Sequence, residues 1–295
     1  MIGVQTTFYG YSGDIVDKVK KLIGVFESLG MPPFVQIGPS VAKDGFDTTV
    51  SKLNSLKDKH GVEYSVHQSI WLPSSDFFLN LGSSSEEIKN GTIDSLKRSI
   101  DFAREIGAKN VSFHAGCAAN RMTQDEEFEP LTVIDSIPYE KAHSNVKKGL
   151  EKLLKYAGKD VKLSVENLNY RPERRYLFST PEEFKRLPSG VGVLFDSAHA
   201  YFSWIKSKDP SYVENMIGVV GGKISEIHAS DNDGTEDQHK LPGHGKVPFT
   251  ELFKIITKKQ KLPPVIIEAV QAKNVYSEKN LRESIKFLTK LFGEI

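Results

Sequence analysis

Short apolar runs alternate with amphipathic stretches from one end of the chain to the other. The runs read as strands are 2–8 (IGVQTTF), 34–38 (FVQIG), 64–69 (YSVHQS) and 110–116 (NVSFHAG), then 162–168 (KLSVENL), 191–197 (VGVLFDS), 223–230 (KISEIHAS) and 263–270 (PPVIIEAV). Each is short and rich in β-branched residues, as strands covered on both faces should be. Between them lie helical patterns. Segment 14–29 places Ile15, Val19, Leu22, Ile23 and Phe26 on one face, and Gly30 supplies a stop. Segment 84–106 opens with serines and an acidic first turn and ends at Gly107. Thr180 before Pro181 marks a further helix start, and 249–258 and 278–292 complete the set. Eightfold alternation implies parallel pairing, because parallel neighbours need a crossover. The expected architecture is α/β, a (β/α)8 TIM barrel spanning 1–295 as one domain. A doubly wound open sheet is the competitor, but no glycine-rich phosphate fingerprint follows the first strand. The longest irregular stretch, 117–138, follows the fourth strand, which in a barrel places it over the catalytic face.

The chemistry enters at the strand ends. His67 and His114 stand near the ends of the third and fourth strands. Glu166, Asp196, His228 and Glu268 stand near the ends of the fifth to eighth. A strand of Val, Ile and Phe carries a carboxylate only where something offsets its desolvation. Taken singly, a histidine at a strand end is more often a hydrogen-bonded structural residue than a ligand, and Glu166 has Arg171, Arg174 and Arg175 nearby as ion-pair partners. Six such residues in equivalent register argue for one shared mouth at the C-terminal face. His199 follows Asp196 by three, and Asp237 and His239 lie two apart on the loop after the seventh strand. Nine nitrogen and oxygen donors suit Zn²⁺, with Mn²⁺ as an alternative, and exceed what one ion needs. A cluster fits phosphoryl transfer.

Composition narrows the setting. Lys and Arg number 39 against 38 Asp and Glu, so net charge gives no push toward nucleic acid. Cys117 is the single cysteine, which excludes an intramolecular disulfide and a thiolate cluster and suggests a reducing cytoplasm. No run is long enough to span a membrane, and the first residues carry no leader pattern. A cytoplasmic monomer is the expectation.

The segments VQI, FLNLGSSSEEI, FHAG, VEN, FDSAHA, IHASDNDGTEDQHKLPGHG and IIEA resemble endonuclease IV, the AP endonuclease family 2 branch of the xylose-isomerase-like barrels. The likeness runs over roughly 34–270, and the D-x-x-H and D-x-H elements together are its specific part. It implies three zinc ions, the first held by His67, His114 and Glu166. Glu166, Asp196, His228 and Glu268 would hold the second, and His199, Asp237 and His239 the third. It also implies incision of duplex DNA beside an abasic site by a metal-bound hydroxide, with Glu268 orienting the water and Glu166 bridging. Two departures touch substrate recognition: the loop after the second strand, IGPSVAKDGF, lacks the family's usual Arg and Trp, and Gly243-His244-Gly245 replaces Gly-Glu-Gly.

Sugar and sugar-phosphate isomerases and epimerases of the same superfamily offer the alternative. They need one metal on the set Glu166, Asp196, His228 and Glu268, with Glu166 and Glu268 as an acid/base pair and a small sugar as substrate. A non-catalytic metal- or sugar-binding descendant is a third reading. Should the partner be abasic DNA, Arg171, Arg174, Arg175 and Trp71 are the candidate substrate contacts, with Phe77 and Arg121 as further ones.

Overall fold

The computed structural model describes residues 1–68, 71–74, 77–122, 133–269 and 276–294. Eight parallel strands close into a barrel: β1 (Ile2–Gln5), β2 (Phe34–Ile37), β3 (Glu63–His67), β4 (Asn110–Phe113), β7 (Lys162–Glu166), β8 (Gly192–Asp196), β9 (Ile224–His228) and β10 (Val265–Ile267). Closure runs through β1, which pairs with both β10 and β2 and leaves no edge. That excludes the open doubly wound sheet. All eight expected strands are present, each ending earlier than its apolar run. The first gives way to a 3₁₀ turn at Thr6–Tyr9. Ser69 and Val270, the ends of two expected strands, lie outside the described residues.

Among the described residues the helices are α1 (Ile15–Ser28), α2 (Gly45–His60), α3 (Glu86–Ile106), α4 (Tyr139–Ala157), α5 (Pro181–Phe184), α6 (Ser197–Ser207), α7 (Tyr212–Val220), α8 (Phe249–Thr257) and α9 (Glu278–Gly293). Two expected caps, the serines before α3 and Thr180, act as read, and Asp14 adds a third. The Asp14 carboxylate accepts from the Val16 and Asp17 amides to start α1, Ser85 caps α3, and Thr180 with Glu183 forms a capping box on α5. That last helix stops after one turn. No helix is long and apolar enough to cross a membrane among the described residues.

One expectation is corrected. The stretch 117–138 is not wholly irregular: β5 (Ala119–Met122) and β6 (Val133–Ser136) form an antiparallel ribbon. Residues 123–132 of this stretch lie outside the described residues.

The packed core joins the barrel to its helices through Val4, Val35, Val111, Val165 and Val193 on the strands and Phe26, Phe102, Leu150 and Phe253 on the helices. A second buried layer is polar. Gln36 on β2 donates from Nε2 to Glu226 Oε2 on β9 at 3.1 Å, and two strands stand between these two in the barrel. Their side chains therefore meet across the interior. Gln5 joins them, donating to Gln36 Oε1 at 2.7 Å.

Candidate metal centre

Every strand from β3 round to β10 delivers a ligand-type side chain at or just past its C-terminal end. His67, Glu166, Asp196 and His228 are the last residues of β3, β7, β8 and β9. His114 and Glu268 each follow the last residue of their strand by one. Register brings Asp196 beside His228. The Asp196 carboxylate also caps α6, accepting from the His199 amide at 2.6 Å, so the D-x-x-H spacing is one helical turn folded back over the strand end.

Three groups result, in each of which one donor atom per residue lies within 4.8 Å of the others: His67, His114 and Glu166; Glu166, Asp196, His228 and Glu268; and His199, Asp237 and His239. All nine residues expected from the sequence are brought together, and Glu166 belongs to two groups. Its Oε2 lies 3.5 Å from His67 Nε2 and 3.2 Å from His114 Nε2. Its Oε1 lies 3.2 Å from His199 Nδ1 and 3.8 Å from His228 Nδ1. Glu268 Oε2 approaches His228 Nδ1 to 2.8 Å. Asp237 links the third group, 3.4 Å from His199 Nε2 and 3.3 Å from His239 Nε2.

The electrostatics are those of carboxylates waiting for positive charge. Burial would raise the Glu166 carboxyl, but the imidazoles of His114, His199 and His228 hold it well below its usual range. Burial likewise opposes, and His239 and His199 outweigh it, at Asp237, which also lies well below. At Asp196 burial wins and the carboxyl rises. Burial lowers His67 to about 3, which keeps it neutral. Against the pull of burial, Asp196 and Asp237 lift His199 well above its ordinary value. No lysine or arginine pairs with these four carboxylates among the described residues; histidines are their ionic neighbours.

Both Glu166 oxygens, Asp196 Oδ2, Asp237 Oδ1 and Glu268 Oε2 are buried without a hydrogen-bond partner. Buried acceptors left unpaired cost on the order of 1–3 kcal/mol each, more when charged, so this cluster has a reason to bind cations. Imidazole plus carboxylate is the donor set of borderline divalent metals, and the residues fit such ions.

Neighbouring groups fix the ligands. The Ser112 hydroxyl donates to the Val66 carbonyl and lies 3.1 Å from His67 Nδ1, which leaves Nε2 facing Glu166. His199 Nδ1 donates to the Asn167 carbonyl at 2.8 Å, leaving Nε2 for Asp237. The Asn167 side chain pairs with both backbone groups of Asp196. Such partners set tautomer and ring orientation. Nothing in the VEN triplet alone marks Asn167 for this part; the pairing of β7 with β8 brings it to Asp196. Gly245 is required by packing: a Cβ there would lie 2.3 Å from Asp231 Oδ1. Asp231 in turn accepts from the Gly243, Gly245 and Val247 amides and so shapes the Gly-His-Gly loop.

The expected substrate contacts divide. Arg171 lies 4.7 Å over the Phe202 ring and Arg174 donates to the Tyr176 hydroxyl at 3.3 Å. Neither pairs with a carboxylate among the described residues, and each buries an Nε without a partner. Burial raises the Tyr176 hydroxyl, with Arg174 opposing and the charge of Asp237 adding to it. Arg175 is otherwise engaged: Nε and Nη2 donate to the Ala118 and Ile137 carbonyls, clamping the base of the β5–β6 ribbon. The Trp71 ring packs on Phe46 and Phe102, and Phe77 covers Gly91 of α3. The Arg121 side chain lies outside the described part. Tyr11 was not foreseen; burial raises its hydroxyl, and the charges of Glu268 and Asp237 add to the rise.

Residues 24–291 match the family model described as the xylose isomerase-like TIM barrel. An uncharacterized protein of Methanocaldococcus jannaschii is 27% identical over 244 residues, 80% of this chain and 71% of that one. A protein of Thermoplasma volcanium named probable endonuclease 4 is 26% identical over 230 residues, covering 74% of this chain and 72% of that one. Among solved structures, a D-tagatose 3-epimerase-like protein superposes with a TM-score of 0.72 at 22% identity, over 98% of both chains, a likeness of fold.

Proposed function

The chain belongs to the xylose isomerase-like TIM barrel family, and on that premise we propose that it is a metal-dependent phosphodiester hydrolase of the endonuclease IV kind, acting on duplex DNA at abasic sites. The observation that carries the reading is the third ligand group. A one-metal sugar epimerase needs Glu166, Asp196, His228 and Glu268, yet this chain also gathers His67, His114, His199, Asp237 and His239 within ligand distance. Zinc is the ion that five imidazoles and four carboxylates favour.

Bound ions would supply Lewis acidity to a phosphoryl oxygen and lower the pKa of water. The chain's own residues do the rest. Glu166, at 1% exposure, belongs to two ligand groups and holds them in fixed relation. Glu268 reaches the mouth, with its side chain 12% exposed, and its carboxylate would orient the attacking water and take its proton. Arg171 and Arg174 meet the phosphate backbone, their guanidinium planes kept by Phe202 and Tyr176. Trp71 serves as packing against Phe46 and Phe102, and Arg175 holds the β5–β6 ribbon.

The second reading is a ketose epimerase, favoured by the solved relative titled D-tagatose 3-epimerase-like. In it Glu166 and Glu268 would exchange a proton beside a carbonyl. One experiment separates the two. Zinc-loaded protein is given a labelled duplex with a single abasic site and, in parallel, a panel of ketohexoses. Strand incision with no change in the sugars is the expected result; epimerised sugar with intact duplex overturns the hydrolase reading.

A further inference from the structure

We infer that Gln36 and Glu226, in the barrel interior beneath the metal centre, are positioning residues that fix which nitrogen His228 offers to a metal. The inference rests on the metal-binding reading above, and its experiment is built to fail separately from it. His228 is wholly buried, and its Nε2 lies 2.7 Å from Gln36 Oε1. An amide oxygen only accepts, so Nε2 carries a proton and Nδ1 is the ring nitrogen whose lone pair a metal would take. Nδ1 is the nitrogen that faces Glu166, Asp196 and Glu268.

An amide alone does not secure this, because a side-chain amide turned by half a rotation presents its NH₂ instead. Here the rotation is blocked from two directions. Gln36 Nε2 donates to Glu226 Oε2 at 3.1 Å, so the amide nitrogen is claimed by a carboxylate across the barrel. Gln5 Nε2 donates to the same Oε1 that accepts from His228, at 2.7 Å. A flipped Gln36 would set its NH₂ against the Gln5 donor and its oxygen against the Glu226 carboxylate. Gln5, Gln36 and Glu226 are each at most 3% exposed, so water cannot stand in for a lost partner. An ionisable side chain in the barrel interior with no basic partner among the described residues is costly, and orienting a ligand gives it a purpose that packing does not.

The test uses the full chain with ¹⁵N-labelled histidine, metal-free and zinc-loaded, together with chelator competition for bound zinc. Gln36→Met removes the acceptor at similar volume, and Glu226→Leu removes the group that orients it. Expected for Gln36→Met is a change of the His228 ring-nitrogen signals in the metal-free protein and a zinc ion released on the order of 10–100-fold more readily, the range for such outer partners. Glu226→Leu should act in the same direction. The exchange Gln36→Glu with Glu226→Gln keeps an acceptor at His228 Nε2 and the same net charge, and should restore both readouts. A purely structural role would lower stability in Gln36→Met while leaving the ring signals and zinc release unchanged, and that result overturns the inference alone. Should Gln36→Met fail to fold, the exchange variant decides: wild-type release supports the chain of contacts, and weakened release with an intact fold overturns it. A wild-type protein that takes up no zinc overturns the metal reading and this inference with it.

Discussion

On the three-ion reading, replacing Glu166 by glutamine should cost the protein two metal ions, and the loss can be read as heat stability. Glu166 belongs to two of the three ligand groups, whereas His239 belongs to one. With free zinc at one hundred times each dissociation constant, a bound ion adds about 2.7 kcal/mol to folding stability. Unfolding entropy of about 2.1 cal/mol/K per residue gives roughly 0.6 kcal/mol/K for 295 residues. Each ion should therefore raise Tm by about 4 °C, and three by about 13 °C. Comparing each variant with its own metal-free form removes the substitution's effect on the bare fold. Calorimetry with and without zinc should show a metal-induced rise of about 4 °C in Glu166→Gln and about 9 °C in His239→Ala. A Glu166→Gln protein that keeps the whole wild-type rise refutes the shared role of Glu166. Equal rises in the two variants refute the division into groups.

Four further outcomes follow from the same geometry. His228→Ala should abolish activity, and so should His239→Ala; phosphodiester turnover that survives His239→Ala makes the third group dispensable and removes its support for the hydrolase reading. Arg171→Ala with Arg174→Ala should weaken DNA binding and flatten its salt dependence by about two contacts' worth, a slope change near ~1.8, with zinc content unchanged; an unaltered slope removes them from the interface. Arg175→Ala should instead lower stability by about 2 kcal/mol, since two carbonyls lose a charged donor, and a denaturant midpoint equal to wild type would contradict its clamp role. In the metal-free protein, against the pull of burial, Asp237 and Glu268 lift His239 to about 9. A folded pKa above the unfolded value near ~6.5 stabilises fully below that pH and fades as pH climbs toward the folded value. Metal-free Tm should fall across that window and zinc binding near neutrality should release protons; a flat Tm and proton-neutral binding would count against it.

The strand framework and the convergence of nine imidazole and carboxylate side chains were legible because both are written in register. Buried parallel strands leave apolar runs, and an acid or imidazole closing six of them in turn is hard to produce by packing alone. The helices were less so. In α2 only Thr49, Val50 and Leu53 are buried, too few for a clear stripe. Helix α6 springs directly from Asp196, so its first turn read as a ligand motif, and α4 lay just past a stretch taken as irregular. Partners across the barrel were not legible at all: nothing in VQI or ISEIH tells that Gln36 meets Glu226 until closure brings β2 and β9 face to face. The same holds for Arg175 and Trp71, whose composition suits DNA but whose neighbours, the Ala118 and Ile137 carbonyls and the Phe46 and Phe102 rings, are distant in sequence.

The claim at the centre is that nine side chains hold a cluster of ions. Anomalous scattering at the zinc edge, from crystals grown with zinc in modest excess, addresses it directly. Three peaks are expected, one within each ligand group, with the Glu166 carboxylate between the first two. A single peak among Glu166, Asp196, His228 and Glu268, with the other five ligands empty at saturating zinc, would contradict the cluster and return the chain to one-metal chemistry.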